Sequence, residues 1–371
     1  MRGDPGYEKN SRCSSCPAYD ALSCLQPNAE VSEWLQADYQ YTSAGKIESV
    51  RYLNRNGDLT IADDLGYAQA IYTYKAGRLL QYEYQDDKGT PVDSVSGFCR
   101  CVYSYEGKRV VSQAYYTAEG APAVGPEGFF EEKTAYREGN ISSITHYGTN
   151  GQLVSSDSLY AKYEAVYKAD AKDSLHLVSE QYTSADGSLF AGDRVWAKAV
   201  YQYSDNFKYK TLTGYYGPDG KPVVNPSVGY ASCVYDVNQD SVQRIAYFDA
   251  DGRAMDGPEG WSACSYTYGG SKETRKYTCA DGSPFVNKKG YSMITQVKNG
   301  SRVTEEYYYD GDGKPVFTSD GYAGWKRTYA SGGKVGMQVY LGKDGNPMNV
   351  PSLGYAQFNR TYSGGLLTEE M

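Results

Sequence analysis

Histidine is almost absent from this 371-residue chain, which has two, His146 and His176, and tryptophan is nearly as scarce, with four. So little imidazole leaves general acid–base catalysis, and the commonest nitrogen ligand for metals, with almost no material. No stretch approaches the roughly 20 apolar residues of a membrane-spanning helix, and Met1-Arg2-Gly3-Asp4-Pro5 opens no signal-peptide apolar region. No run of Lys or Arg occurs, and the net charge is −8. A chain of this charge offers no attraction to a phosphate backbone or an anionic membrane, so neither nucleic acid nor membrane insertion is expected. Aliphatic residues are sparse and the mean hydropathy is −0.63, values that alone would suggest disorder.

Tyrosine supplies what the aliphatics do not, with 40 residues. A buried ring removes on the order of 150–250 Å² from water, at roughly 25 cal/mol per Å², and still carries a hydroxyl that can stay wet. An aromatic core in a thin, extended fold is expected.

Internal periodicity organises these rings. Gly57, Gly89, Gly120, Gly151, Gly187, Gly220, Gly252, Gly282, Gly313 and Gly345 recur at intervals of 30–36 residues, commonly after Asp or Asn, as tight turns with positive φ require. Five residues before each glycine stands Tyr52, Tyr84, Tyr115, His146, Tyr182, Tyr215, Tyr247, Tyr277, Tyr308 or Tyr340. After the turn comes a second marker, usually Gly-aromatic, whose rings are Tyr67, Phe98, Phe129, Tyr160, Trp196, Tyr230, Trp261, Tyr291, Tyr322 and Tyr355. A third aromatic column is read at Tyr39, Tyr72, Tyr103, Tyr136, Tyr167, Tyr201, Tyr235, Tyr266, Tyr329 and Tyr362, with Gln296 as its gap. Alternation such as Tyr72-Thr73-Tyr74 has the period of two of a strand with one buried face.

The fold class expected is all-β, an elongated solenoid or superhelix of about ten tandem β-hairpin repeats of roughly 32 residues, stabilised by nearest-neighbour stacking. The repeat domain covers residues 39–371 and ends in a partial unit able to cap the sheet edge. Residues 1–38 are expected to form a short Cys-containing cap or linker, partly helical near residues 19–25 and 30–36.

The segment Tyr215-Tyr216-Gly217-Pro218-Asp219-Gly220-Lys221-Pro222-Val223, followed by Gly229-Tyr230-Ala231, resembles the β-hairpin repeats of bacterial surface proteins. These are the choline- and glucan-binding cell-wall repeats, the YD repeats and the MORN-like repeats. The first group implies aromatic pockets between hairpins for choline or sugar, and the YD group implies a protein-encapsulating shell. The period near 32 exceeds the roughly 20 of those families, and the paired Trp of choline-binding units is missing.

Each candidate for chemistry has a structural counterpart. His146 stands in a Tyr position and reads as a stacked ring rather than a base. Asp249-x-Asp251-Gly252 and Asp310-x-Asp312-Gly313 resemble the start of a calcium loop but lack its continuation, so hairpin turns are favoured. Cys101, Cys233 and Cys264 share one repeat position with Ala70, Ala199, Ile294, Trp325 and Phe358, and read as buried apolar thiols. Cys13-x-x-Cys16 with Cys24 leaves a zinc or iron–sulfur site, a disulfide and free thiols all open. Arg2-Gly3-Asp4 and the sequons at Asn140, Asn299 and Asn359 are short enough to arise by chance.

No nucleophile with a base, phosphate-cradling loop or acid pair departs from the repeat, so no enzyme and no cofactor is expected. The function expected first is a non-catalytic module binding a glycan or cell-wall polymer through exposed rings, with Trp196, Tyr230, Trp261, Tyr291 and Tyr322 as contacts and multivalency as the source of avidity. For any one of these rings a purely structural role is the competing reading. A protein-interaction or spacer scaffold is the alternative, its specificity carried by variable loops at residues 124–128 and 168–174. The style of repeat places the protein at a bacterial cell surface or outside the cell.

Overall fold

The computed structural model describes residues 36–371, which are all-β, with 22 strands and one 3₁₀ turn at Ser331–Gly333. Of the cap expected over residues 1–38, residues 1–35, with the helix near 19–25, all but the last residue of that near 30–36, and Cys13, Cys16 and Cys24, lie outside the described residues. The first strand already begins at Gln36.

Two compact units are present. The first comprises the described residues up to Ala135 with Thr145–Val154, and the second comprises Tyr136–Ile144 and Ser155–Met371. The first unit holds β1 (Gln36–Tyr41), β2 (Ile47–Leu53), β3 (Gln69–Lys75), β4 (Arg78–Gln85), β5 (Arg100–Glu106) and β6 (Arg109–Tyr116), with most of β7 (Glu131–Arg137) and the end of β8 (Asn140–Tyr147). The second holds the tip of that last hairpin, then β9 (Lys162–Ala169), β10 (Leu175–Thr183), β11 (Lys198–Tyr203), β12 (Lys210–Tyr216), β13 (Ser232–Asn238), β14 (Ser241–Phe248), β15 (Ala263–Gly269) and β16 (Lys272–Thr278). It continues through β17 (Met293–Asn299), β18 (Arg302–Tyr309), β19 (Gly324–Tyr329), β20 (Val335–Leu341), β21 (Gln357–Ser363) and β22 (Leu366–Glu370).

Within each unit the strands pair antiparallel with their neighbours in the chain, giving tandem hairpins that stack like a solenoid. Pairing inside a hairpin runs nearly its full length, as from Gln69↔Gln85 to Lys75↔Arg78. Pairing between hairpins is short. β2 meets β3 only from Ser49↔Ile71 to Arg51↔Gln69, and β4 meets β5 only from Gln81↔Val102 to Glu83↔Arg100. The hairpin tips therefore splay apart.

The ten turn glycines all have φ between 74° and 86°, which explains why glycine holds the position. An Asp three residues before the glycine closes two of the turns on their own backbone: Asp249 Oδ1 accepts the N–H groups of Asp251 and Arg253 at 2.9 and 2.8 Å, and Asp310 Oδ1 those of Asp312 and Lys314 at 3.0 and 2.9 Å. The calcium-like spacing at both places is thus that of a self-capped turn. The chain then doubles back through a single bridge, such as Gln85↔Pro91 or Tyr216↔Pro222, where the absent proline N–H costs little because no ladder follows. A second turn carries the Gly-aromatic marker into the next hairpin. The residue after the marker ring is small and wholly enclosed at Ala68, Cys99, Ala197, Ala231 and Ser292, where backbone bonds join successive hairpins.

The third aromatic column divides into two. Pairing aligns Tyr39, Tyr72, Tyr103, Tyr201, Tyr235 and Tyr266, but Tyr136, Tyr167, Tyr329 and Tyr362 stand two residues further along, in register with Tyr74, Tyr105, Tyr203 and Tyr268. Thus Tyr167 faces Leu177 as Tyr74 faces Leu79, and Tyr329 faces Val335. Thr134, Ala165, Arg327 and Arg360 fill the first position in those repeats, so the first tyrosine met along the strand is the second of the pattern.

Candidate functional site

The rings before the turn glycine and the marker rings do not form two columns. They interleave into one zigzag ladder. In the first unit the centroids run Tyr52–Tyr67 5.8 Å, Tyr67–Tyr84 4.0 Å, Tyr84–Phe98 5.4 Å, Phe98–Tyr115 4.9 Å, Tyr115–Phe129 5.9 Å and Phe129–His146 4.7 Å. In the second, steps of 4.9–6.1 Å connect Tyr160, Tyr182, Trp196, Tyr215, Tyr230, Tyr247, Trp261 and Tyr277. A further stretch joins Tyr291, Tyr308, Tyr322, Tyr340 and Tyr355. Each such contact contributes about 0.5–1.5 kcal/mol beyond the area it buries.

This geometry fixes what the five candidate contact residues offer. Trp196 lies between Tyr182 and Tyr215, Tyr230 between Tyr215 and Tyr247, and Tyr322 between Tyr308 and Tyr340, while Tyr291 packs on Tyr308. These four are half-buried. Trp261 is buried between Tyr247 and Tyr277, and its Nε1–H donates to Glu259 at 2.9 Å. Neighbouring rings pack against both sides of Trp196, Tyr230, Trp261 and Tyr322.

His146 is buried, stacked on Phe129 at 12° between planes, with Nε2 3.0 Å from Glu132. Cys101, Cys233 and Cys264 are buried, as their shared column implies. Burial pushes the Cys101 thiol up to about 12 and that of Cys264 to about 11. Carboxylates also accept phenol protons inside the ladder: Glu127 from Tyr115 at 2.7 Å, and Glu180 from Tyr163 and Tyr201 at 3.1 and 2.6 Å. Burial, followed by these charges, raises the pKa values of the phenols, which stay protonated as donors.

Two further connections between repeats escape a reading of the sequence. At the splayed tips a tyrosine hydroxyl donates to a carbonyl of the preceding hairpin. Tyr74 reaches Ile47 O and Tyr105 reaches Leu79 O, both at 2.8 Å, and Tyr167, Tyr203, Tyr268, Tyr329 and Tyr362 do the same to Ile141, Leu177, Val242, Val303 and Val335. A basic group starting the preceding strand covers several of these rings: Lys46 over Tyr74, Arg78 over Tyr105, Arg302 over Tyr329 and Lys334 over Tyr362, at 5.1–5.7 Å. At the opposite end, Asp93, Ser155 and Asp256 accept the Ala118, Ala185 and Ala280 N–H groups of the next turn at 2.7, 3.0 and 2.9 Å. The visible signal for the first connection is partial: Tyr74, Tyr105, Tyr203 and Tyr268 are the second tyrosine of a Tyr-x-Tyr, and Tyr74, Tyr105, Tyr329 and Tyr362 have Lys or Arg 27 or 28 residues earlier.

One region breaks the pattern. The β11–β12 tip, residues 204–209, is longer than its neighbours and carries Phe207 at φ 56°, a conformation a bulky side chain rarely adopts. Phe207 stacks on His176 at 4.6 Å, and Asp170 holds His176 Nε2 at 3.2 Å. Tyr209 Oη and Asn206 Nδ2 donate to the Asp240 carbonyl and carboxylate at 2.6 and 2.8 Å.

Comparison with protein-family models and with curated proteins finds no match to this chain. Among the described residues no helix is long and apolar enough to cross a membrane.

Proposed function

We propose that this protein is a non-catalytic repeat scaffold that presents a protein partner with the side chains its frame leaves free. One observation carries the reading: the recurrent rings are packed against one another, so they serve cohesion, and recognition falls to residues that differ between repeats. Four exposed apolar residues are of that kind. Ile61, Val124, Val286 and Phe317 follow the turn glycine by four residues, where Asp93, Ser155 and Asp256 instead bind the next turn. Variable side chains on a regular frame suit extended partners engaged at several weak points. An affinity capture with the full chain, repeated with Val286→Ser/Phe317→Ser, tests this. A partner retained by the native protein and lost by the variant is expected, and equal capture by both removes the reading.

A glycan or cell-wall polymer is the second reading. It is favoured by the half-buried aromatics on the other face of the hairpins, Tyr116 and Tyr147 in the first unit and Tyr216, Phe248 and Tyr309 in the second. Titration with cell-wall polysaccharides, followed by tryptophan fluorescence and by saturation transfer to tyrosine protons, tests it, and silence across the panel excludes it. A bacterial surface or extracellular location accompanies both readings and rests on the style of the repeat.

A further inference from the structure

The two margins of the first unit carry opposite charge. The hairpin tips, residues 42–46, 75–78 and 106–109, hold Lys46, Lys75, Arg78, Lys108 and Arg109, with Glu106 as their one acid. At the other margin the turns of residues 54–65, 86–97 and 117–128 expose Asp58, Asp63, Asp64, Asp87, Asp93 and Glu119, against two bases, Arg55 and Lys88. Part of this pattern has a structural cause. Lys46 and Arg78 cover the rings of Tyr74 and Tyr105, and Asp93 accepts the Ala118 N–H. The rest has none: the side chains of Lys75, Lys108, Asp58, Asp63, Asp87 and Glu119 make no bond or ion pair among the described residues.

Like charges lined along one margin repel, and the molecule cannot relieve this by itself. The strands β3 to β6 between the margins are seven or eight residues long. At about 3.3 Å per residue they hold the two margins more than about 20 Å apart, about twice the screening length in 0.1 M salt. A second molecule can bring the opposite charges together. Both margins belong to the same hairpins, so their charges recur at one common spacing of about 10 Å, twice the separation of neighbouring strands. Register is thereby matched over successive repeats, which a polymer of unrelated period does not provide. Exposed Tyr41 lies beside the basic tips and exposed Val95 among the acidic turns, so close approach also covers apolar surface.

We propose that copies of this chain associate side by side, the basic tip margin of one first unit seated on the acidic turn margin of another. Two different surfaces meet, so each added copy presents both margins again and the assembly can grow. The net charge of −8 holds copies apart at long range, and exposed ion pairs contribute little each. The association is therefore weak and sensitive to salt. It is independent of the scaffold reading: its determinants are charges of the first unit, whereas the capture variant alters Val286 and Phe317 of the second.

Sedimentation velocity tests it on the full chain from about 10 to about 300 µM, in about 50 mM and about 500 mM NaCl, between which the screening length falls from about 14 to about 4 Å. The sedimentation coefficient is expected to rise with concentration at the lower salt and to stay at the monomer value at the higher. Lys75→Glu/Lys108→Glu at the tips and Asp63→Lys/Asp87→Lys at the turns are each expected to weaken association at least about tenfold. Mixed, the two variants still offer one native pair of margins, the turns of the first and the tips of the second, and are expected to form a dimer that does not grow. A monomer at every concentration in the lower salt overturns the proposal, as does association indifferent to salt, a variant that associates like the native protein, or a mixture that stays monomeric. Binding of polyglutamate by a chain that itself stays monomeric assigns the tip margin to an acidic polymer and overturns it too.

Discussion

Replacing Tyr105 by Phe isolates the hydroxyl that ties one hairpin tip to the one before. The bond to Leu79 O is 2.8 Å long, and Arg78 over the ring at 5.7 Å is unaffected by the change. A half-buried neutral hydrogen bond contributes about 0.5–1.5 kcal/mol net, and the freed carbonyl can find water, so about 1 kcal/mol is expected. Tyr74, Tyr203, Tyr268 and Tyr329 make the same bond in other repeats. Their losses should add, since additivity holds for separated sites, to about 2.5–7.5 kcal/mol for the fivefold Phe variant. Repeat arrays need not unfold in one step, so the local measure is hydrogen exchange. Amides flanking the β3–β4 and β5–β6 tips should exchange about fivefold faster in Tyr105→Phe, with those of β19–β20 unchanged, alongside a lower urea midpoint. If Tyr105→Phe matches the native protein in both measurements, the hydroxyls do not hold the tips.

Truncation of Tyr115, 1% exposed and in contact with Phe98 and Phe129, to Ala should cost about 3–5 kcal/mol in chemical denaturation; a loss below 1 kcal/mol refutes the ladder as the core. Because burial holds Cys101 and Cys264 up at about 12 and about 11, iodoacetamide at pH 8 should leave both unmodified in the native protein while half-buried Cys279 reacts ahead of them, as read by peptide mass spectrometry. The Ser188 and Ser184 hydroxyls hold the Asp186 carboxyl down at about 2. A depressed carboxylate stabilises the fold above its unfolded pKa, near 3.9, and that support is lost as pH falls through the folded value. The Asp186 carboxyl carbon should accordingly titrate near pH 2 by NMR, and a midpoint near 4 would refute the bonding.

The repeat was legible because its demands are local. A turn needing positive φ selects glycine, a self-capping turn selects Asp before it, and a half-buried strand alternates. The thiol column was equally open to reading, since Ala, Ile, Trp and Phe at one position mean burial. What could not be read was which rings meet. The turn ring Tyr84 and the marker rings Tyr67 and Phe98 are 17 and 14 residues apart in the chain, and only the doubled-back second turn brings them to 4.0 and 5.4 Å. Exposure followed the same logic: composition marks Trp196 and Trp261 as rings able to hold a ligand, but packing decides whether a face remains for one. The tip bonds were hidden because tyrosines two residues apart on a strand share a face and differ only in what the splayed neighbour offers.

Loss of the tip tyrosine does not by itself loosen a boundary, as two exceptions demonstrate. Lys298 fills the corresponding position where β16 meets β17, and there the pairing lengthens, from Lys272↔Val297 to Lys276↔Met293, while Lys298 Nζ reaches Glu273 at 2.5 Å. The missing phenol is replaced by backbone bonds and an ion pair. Val237 fills the position where β12 meets β13, and there the connection is made from the other side: Tyr209 Oη, Asn206 Nδ2 and Lys208 Nζ, all from the residue 204–209 tip, reach Asp240 at the tip of the next hairpin, and Lys208 lies over the Tyr209 ring at 5.1 Å. A bulky residue at positive φ costs about 1–3 kcal/mol, and these bonds, with the Phe207 stack on His176, offset the strain of the longer tip that makes them.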